Sequence, residues 1–196
     1  MPAAIETIQS DLFHLYSRIP NWYEVRSVLR IEPVDDGLAG LRVVEEEVAE
    51  PFIRDYDSHH KDNPTHWAGQ FDISRWGILL ATDENDDPVG GATVAVDAPV
   101  YPLDRFQRPD LAVLWDIRVD PDHRRSGVGG QLLRHAAAWA RSEGYGQLGI
   151  ETDSSNVGAC RFYAKQGCEL GAIHRYGYSG IAAVAENAML LWYLDL

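Results

Sequence analysis

The chain has 196 residues, of which 45% are hydrophobic and 24% are charged, so it can bury a sizeable core and is not disordered throughout. Its 17 basic and 30 acidic side chains give a formal net charge of −13, which repels phosphates and excludes a general nucleic-acid binder. Two cysteines cannot form a disulfide framework, the apolar runs are too short to span a membrane, and no signal peptide is apparent. We therefore expect a cytoplasmic protein with no membrane partner.

The acidic charge is concentrated in the first part of the chain. Residues 1–110 contain 21 acidic and 9 basic side chains, whereas residues 111–196 contain 9 acidic and 8 basic ones. The first part would attract a cationic partner. Acidity that serves only solubility is the alternative interpretation, and both stay open at this point.

Apolar residues at spacings of three and four predict an amphipathic helix over residues 3–19, which Pro20 ends. Residues 1–24 would then form a helical arm. This arm would pack on its own domain or form the seam of a homodimer.

The middle of the chain predicts strands and one short helix. The acidic segment Glu50–Lys61, with Pro51 near its start, predicts the helix. A turn at Asp35-Asp36-Gly37 separates the first two strands. The predicted strands are Val25–Ile31, Leu41–Val48, Trp76–Thr82, Val89–Val96 and Leu111–Val119.

The last third predicts two helices and three strands. One helix begins at Val128, with Gly144 at the position after its end, and the other covers Val157–Gln166 and stops at Gly167. The strands are Leu148–Thr152, Leu170–Tyr178 and Asn187–Leu194. No linker or repeat divides the chain, so we predict one α/β domain over residues 1–196 with a mixed sheet.

A glycine-rich segment, Arg124–Gly130, connects the strongest predicted strand to the next helix. Backbone N–H groups at a helix start bind anions, and the helix dipole adds to the attraction. Gly127 and Gly129 would let the main chain approach a phosphate, while Arg124 and Arg125 add positive charge. The segment lacks the Gly-Lys-Ser/Thr ending of a P-loop and the three-glycine spacing of a dinucleotide fingerprint. It therefore predicts a pyrophosphate site of another class, or a turn that serves only packing.

Two motifs in this part of the chain resemble those of the GNAT acetyltransferase superfamily. Arg124-x-x-Gly127-x-Gly129 matches its pyrophosphate pattern, and residues 156–167 resemble its second signature, Asn-x-x-Ala-x-x-Phe-Tyr-x-x-x-Gly. Cys168 stands where the family usually has phenylalanine. The resemblance covers roughly residues 76–178. Within the superfamily the chain is most similar to streptothricin acetyltransferases, through Leu114–Val119, Glu151-Thr152, Ala159–Tyr163 and Leu191–Tyr193.

The resemblance implies acetyl-CoA as the cofactor and names the residues that would hold it. Backbone groups near Ile117, Arg118 and Val119 would bind the pantetheine and the thioester. Asn156 and Ala159 would lie along the pantetheine arm. The pyrophosphate would be held by Arg124, Arg125, Ser126, Gly127, Val128, Gly129 and Gly130.

The resemblance also implies catalytic roles. Tyr163 occupies the position of the family's general acid, although it could simply pack beside Phe162. Glu151 lies where some members keep a catalytic glutamate that acts as the base. Asp116, an acid within an apolar strand, is a second candidate base, or it forms an ion pair with Arg118. A water chain is a third alternative for the base.

Carboxylates and aromatic faces bind cationic amines, and several lie in the acidic half or in the closing strands. The candidate acceptor-binding residues are Asp55, Tyr56, Asp57, Trp67, Trp76, Tyr176 and Tyr178. Each could instead be an ordinary surface or core residue. His59, His60 and His66 are spaced too irregularly to predict a metal site. Cys160 and Cys168 are expected to be small buried apolar groups.

The resemblance thus implies a GNAT fold with a mixed, mostly antiparallel central sheet, flanking helices, an N-terminal helix and a core over about residues 25–196. The predicted activity is acetyl-CoA-dependent acetylation of a primary amine on a cationic small molecule, with direct transfer in a ternary complex. A streptothricin-like antibiotic is the named acceptor. A protein, peptide or polyamine acceptor is one alternative, and a non-catalytic CoA-binding regulatory module is another.

Overall fold

The structure, a computed structural model, describes residues 3–58, 63–96 and 108–196. The chain forms two compact units. Unit 1 consists of Met1–Trp22, Asp55–Ile150 and Leu194–Leu196. Unit 2 consists of Tyr23–Arg54 and Glu151–Tyr193.

The described residues form nine strands and four α-helices. The strands are β1 (Ala4–Thr7), β2 (Trp22–Pro33), β3 (Leu41–Asp55), β4 (Gly77–Thr82), β5 (Pro88–Ala95), β6 (Leu111–Val119), β7 (Gln147–Asp153), β8 (Glu169–His174) and β9 (Met189–Asp195). The helices are α1 (Phe13–Tyr16), α2 (Trp67–Gln70), α3 (Val128–Ser142) and α4 (Val157–Lys165). Within this part of the chain, no helix is long and apolar enough to cross a membrane.

Unit 1 is a sheet with one long helix packed on it. Its strands run in the order β1-β4-β5-β6-β7. The pairs β1–β4, β4–β5 and β5–β6 are antiparallel, whereas the pair β6–β7 is parallel. The helix α3 packs on β4, β5 and β6 through the buried side chains Val128, Leu132, Leu133, Ala136 and Ala140. This packing fixes the start of α3 next to the end of β6.

Unit 2 contains the end of β7, followed in sheet order by β9 and β8, and the separate two-stranded sheet β2-β3. The strands β8 and β9 are antiparallel. The Leu29 N–H donates to the Ser154 carbonyl at 2.8 Å and ties β2 to the segment that follows β7. The predicted mixed, mostly antiparallel α/β architecture is therefore confirmed.

The elements around the glycine-rich segment agree with the sequence prediction. The strand β6 has the predicted bounds, and α3 begins at Val128 as expected. Gly144 and Gly167 follow the ends of α3 and α4 with φ values of +91° and +87°, which glycine adopts without a Cβ clash. Helix ends that depend on such local geometry are readable from sequence.

The predicted helix over residues 3–19, and with it the helical arm over residues 1–24, is wrong. β1 pairs with β4 from Ala4↔Thr82 to Thr7↔Leu79, and only Phe13–Tyr16 is α-helical. The residues that the segment buries are Ile8, Phe13, Tyr16 and Ile19. Pairing with β4, at a distance in sequence, outweighs the local helical periodicity.

The predicted helix over Glu50–Lys61 is also wrong. The strand β3 continues through Pro51 to Asp55, and a 3₁₀ turn, Tyr56–Ser58, follows it. Residues 59–61 of the prediction lie outside the described residues. A proline is tolerated in a two-stranded sheet because both strands are edge strands, where its missing N–H need not face a partner.

Candidate active site

The connection from β6 to α3 presents backbone amides at the start of a helix. The first α3 hydrogen bond runs from the Gln131 N–H to the Gly127 carbonyl at 3.1 Å. The amides of Val128, Gly129 and Gly130 are therefore not used within the helix. They lie at the positive end of the helix dipole, so they fit an anionic phosphate group.

Gly127 is the residue whose conformation makes this loop. Its φ is +96°, and a Cβ built on it would meet no atom within 4 Å. Glycine is thus needed here for backbone conformation rather than for space. Arg125, two residues earlier, also has a positive φ of +64°, so the chain turns sharply on both sides of Ser126.

The two arginines of the segment have different surroundings. The Arg124 Nε donates to the Val119 carbonyl at 3.1 Å and its Nη2 to the Trp22 carbonyl at 2.6 Å. Its guanidinium lies 5.1 Å from the centre of the Trp22 ring, and burial lowers its pKa. Arg124 therefore braces the loop, whereas Arg125 and Ser126 are exposed.

The strand β6 changes character at Trp115. Thr93 of β5 pairs with Asp116 and Val94 pairs with Leu114, so Trp115 is the extra residue of a β-bulge. In unit 1 the parallel pairing of β6 with β7 covers only Leu111–Leu114. Beyond the bulge, the β6 edge at Ile117 and Val119 is left without a β7 partner in the described residues of unit 1.

Asp116 forms the ion pair with Arg118 that was one of its two expected roles. The Asp116 Oδ1 accepts from Asn21 Nδ2 at 3.0 Å and from Arg118 Nη2 at 3.0 Å. Its Oδ2 accepts from the Tyr16 hydroxyl at 2.7 Å and from Arg118 Nε at 2.9 Å. Four donors thus surround the carboxylate, which leaves it poorly placed to take a proton from a substrate.

Arg118 also holds Asp57, one of the expected acceptor-binding residues. The Arg118 Nη1 donates to Asp57 Oδ1 at 3.1 Å and to the Ile19 carbonyl at 3.0 Å, and the arginine side chain is 1% exposed. Although burial alone would lower it, the neighbouring carboxylates raise the pKa of Arg118 above its ordinary value. Burial, with the Asp116 charge, raises the pKa of Tyr16, so its hydroxyl stays a donor.

Trp67 and Trp76 lie in a buried aromatic cluster of unit 1. Trp67 packs edge-on against Phe13, Tyr16 and Trp115, and Trp76 stacks on Phe71. Both tryptophans are buried. Asp55, in contrast, is exposed at the end of β3, and Tyr56 beside it is half-buried.

In unit 2, α4 carries Tyr163 and begins at an asparagine cap. The Asn156 Oδ1 accepts from the Ala159 N–H at 3.0 Å, which fixes the start of α4. Tyr163 is 5% exposed, and its ring centre lies 5.4 Å from that of Phe162 and 6.4 Å from that of Trp192. The helix thus holds the tyrosine in one place.

Glu151 and Tyr178 form a hydrogen-bonded pair in unit 2. The Tyr178 hydroxyl donates to Glu151 Oε1 at 2.5 Å. Burial raises the pKa of Glu151, the hydrogen bond from Tyr178 lowers it, and the nearby Asp153 charge raises it; the net change is upward. Burial and Glu151 raise the pKa of Tyr178.

Sequence reasoning missed Asp153, which is 4% exposed. The Asp153 Oδ1 accepts from the Ser155 N–H at 2.8 Å and from Asn187 Nδ2 at 3.1 Å. Its Oδ2 accepts from the Tyr23 hydroxyl at 3.3 Å. The available signal was the alternation Glu151-x-Asp153 at a strand end, which places two carboxylates on one face.

The remaining expected residues lie apart from these clusters. Tyr176 is exposed, with the Arg175 guanidinium 5.3 Å from its ring centre. Burial raises the pKa of Cys160 to about 12 and that of Cys168 to about 11, as suits buried apolar thiols. His59 and His60 lie outside the described residues. In the described ranges no group of three or more His, Cys, Asp or Glu side chains could hold a metal ion.

Comparison with known sequences finds two kinds of match. The sequence profile of the Acetyltransferase (GNAT) family matches residues 41–168. The streptothricin acetyltransferase of Streptomyces lavendulae is 37% identical over 170 residues, which cover 86% of this chain and 82% of the relative. Streptothricin acetyltransferase A of Bacillus subtilis is 39% identical over 82 residues, which cover 42% of this chain and 47% of the relative. This second match thus spans about half the length of the relative.

Solved structures show the same fold over the full chain. A nourseothricin acetyltransferase superimposes with a TM-score of 0.76 at 20% identity, covering 100% of this chain and 99% of the other. A Bacillus anthracis protein solved in complex with acetyl coenzyme A gives a TM-score of 0.74, also at 20% identity, covering 100% and 98%.

Proposed function

The chain belongs to the GNAT acetyltransferase family, and on this premise we propose that it transfers the acetyl group of acetyl-CoA to a primary amine of a cationic small molecule, a streptothricin-like antibiotic. The observation that supports a streptothricin-like acceptor is the 37% identity with a streptothricin acetyltransferase over 86% of this chain. The net charge of −13 supports a cationic acceptor, because it attracts positive ligands.

The amides of Val128, Gly129 and Gly130 would hold the pyrophosphate of acetyl-CoA, with Arg125 adding charge from the exposed side of the loop. The β6 edge at Ile117 and Val119 has no β7 partner among the described residues of unit 1, and it would take the pantetheine through the Ile117 backbone and the Val119 N–H, since the Val119 carbonyl already accepts from Arg124. Arg118, Arg124, Ser126 and Gly127 would shape these two segments, and Asn156 and Ala159 would serve at the start of α4.

Bound acetyl-CoA would supply an acetyl thioester activated toward attack by an amine. Glu151 would take the proton of the substrate ammonium, because its raised pKa makes it a stronger base than an exposed glutamate. Asp116 is less suited, since four donors already occupy its oxygens. Tyr163, held in place within α4, would donate a proton to the departing sulfur.

The surroundings of the expected acceptor-binding residues narrow the proposal. Asp55, Tyr56 and Tyr176 keep exposed or half-buried surface for a cationic ligand. Trp67 and Trp76 are core residues, and Asp57 already binds Arg118. We therefore propose that Asp55, Tyr56 and Tyr176 recognise the acceptor. Tyr178 instead serves as the hydrogen-bond donor to Glu151.

The test is release of the CoA thiol from acetyl-CoA with streptothricin as acceptor. We expect turnover by the wild-type chain and a fall in kcat of about 100-fold in Tyr163→Phe, with unchanged CoA affinity by calorimetry. Glu169→Gln, a change at the exposed start of β8, is the control and keeps full turnover. Reaction with peptide amines or polyamines but not with streptothricin would show that the acceptor is a peptide or a polyamine instead. Acetyl-CoA binding without thiol release across an amine panel would indicate a non-catalytic module.

A further inference from the structure

The end of β7 carries two carboxylates with separate tyrosine partners. Glu151 and Asp153 are two residues apart in a strand, so they share a face at about 7 Å along the chain. Tyr178 donates to Glu151 at 2.5 Å, and Tyr23 donates to Asp153 at 3.3 Å. All four residues belong to unit 2.

Asp153 is held in one orientation by several hydrogen bonds. The Ser155 N–H and hydroxyl both donate to its Oδ1, at 2.8 and 2.5 Å, and Asn187 adds a third bond at 3.1 Å. With the Tyr23 hydroxyl, four donors converge on this one buried carboxylate. The proposed reaction does not use this carboxylate directly, because these donors already occupy its oxygens.

The two neighbours of Glu151 have opposite electrostatic effects. A hydrogen bond donated by Tyr178 stabilises the carboxylate form of Glu151, whereas a negative charge on Asp153 destabilises it. The Tyr23 hydroxyl of β2 donates to Asp153, and its charge would raise the pKa of Tyr178. The buried thiol of Cys160 in α4 lies near Asp153.

We infer that Tyr178 and Asp153 are positioning residues that set, in opposite directions, how readily Glu151 accepts the proton of the substrate ammonium. The inference rests on the proposed function, in which Glu151 is the base. In that step an N–H bond of the ammonium breaks, an O–H bond forms on Glu151, and the nitrogen lone pair becomes free to attack. Tyr178 keeps its own proton throughout and fixes the orientation of the carboxylate.

The experiment measures kcat/KM against pH for the full chain, with acetyl-CoA and streptothricin. The acid limb of this profile reports protonation of the base in the free enzyme. Tyr178→Phe removes the bond that favours the carboxylate, so the acid limb moves to higher pH. Asp153→Asn removes the charge that disfavours it, so the acid limb moves to lower pH. Tyr178→Phe also lowers the plateau by about tenfold, because the carboxylate loses its fixed orientation.

Two substitutions outside the cluster serve as matched controls. Glu47→Gln removes a charge from an exposed position of β3, and Glu169→Gln removes a charge at the exposed start of β8; both residues belong to unit 2. Both leave the acid limb unchanged. A limb that moves equally in the controls, or in the same direction in both cluster variants, overturns the inference.

A second readout does not depend on the acceptor. The carboxyl ¹³C signal of Glu151, assigned by its loss in Glu151→Gln, is titrated by NMR in the free wild-type chain and in both cluster variants. Its midpoint moves up in Tyr178→Phe and down in Asp153→Asn. If streptothricin is inert while these shifts occur, the proposed function is wrong, but Tyr178 and Asp153 still set the protonation of Glu151 in opposite directions. If Asp153→Asn does not fold, Tyr178→Phe decides: an unmoved midpoint overturns the inference.

Discussion

The guanidinium of Arg118 is 1% exposed and lies between two carboxylates, so the residue is charged, buried and bound at each of its nitrogens. A buried charge of this kind is tolerated only when its partners are present. The arrangement joins β6 to Asp57, which follows β3, and to Ile19, which follows α1. One residue thus holds three parts of unit 1 together.

Arg118→Met is therefore expected to lower the free energy of unfolding by about 3–5 kcal/mol, because Asp116 loses its buried counterion. The measurement is urea unfolding followed by tryptophan fluorescence. Arg26→Ala is the matched control: Arg26 pairs with Glu24 at 2.8 Å, but the two side chains are 72% and 40% exposed. Its loss should cost less than about 1 kcal/mol. Equal effects of the two substitutions would contradict a structural role for Arg118.

The pairing of Asp116 with Arg118 could be predicted, but the rest of its surroundings could not. Residues two apart in a strand share a face, which is a local rule. Tyr16 and Asn21, however, reach Asp116 from 100 and 95 residues away. No spacing rule connects them, so the hydrogen bonds that occupy the Asp116 oxygens could not be predicted from the sequence. The proposal that Glu151 rather than Asp116 is the base draws on these bonds.

At the scale of elements, the loop from β6 to α3 depends on Gly127 more than on its arginines. The left-handed φ of Gly127 directs the chain into α3, whose first amides, those of Val128, Gly129 and Gly130, have no acceptor within the helix. Arg124 then secures the loop from the side of Trp22. The motif was readable from sequence because it is built from consecutive residues.

Gly127→Ala should lower the free energy of unfolding by about 1 kcal/mol and raise the Kd for CoA by about fivefold or more. The added Cβ meets no atom within 4 Å, so the cost is purely conformational, and relaxing it would turn the amides away from the phosphate. Gly69→Ala in α2 is the control, since its Cβ is equally unobstructed and its φ is not positive. Calorimetry with CoA compares the two variants. Equal CoA affinities in Gly127→Ala and Gly69→Ala would show that the loop from β6 to α3 does not bind CoA.

The elements that sequence reasoning got wrong share a cause. The segment over residues 3–19 and the end of β3 both have locally plausible helical patterns, yet Ala4–Thr7 of the first and Leu41–Asp55 of the second form strands that pair with a partner strand. Strand pairing with residues far along the chain cannot be predicted from a short stretch of sequence. In contrast, α3 and α4 are bounded by their own caps and by Gly144 and Gly167, so their positions follow from nearby residues.

At the scale of the whole molecule, the unequal charge separates two tasks. Residues 111–196 include the loop proposed for a polyanionic cofactor and are close to neutral. Residues 1–110 carry nearly all the net negative charge, and they include Asp55 and Tyr56, proposed for the cationic acceptor. Long-range attraction should therefore act on the acceptor and little on acetyl-CoA.

Ionic strength tests this division. Raising NaCl from about 0.01 to about 0.3 M shortens the Debye length several-fold, so kcat/KM for streptothricin should fall by about tenfold. The KM for acetyl-CoA should stay level, because the residues proposed to bind it lie in the near-neutral residues 111–196. Initial rates of thiol release at fixed pH measure both quantities. A salt-independent kcat/KM for a cationic acceptor would mean that the acidity of residues 1–110 keeps the protein soluble and does not guide the substrate.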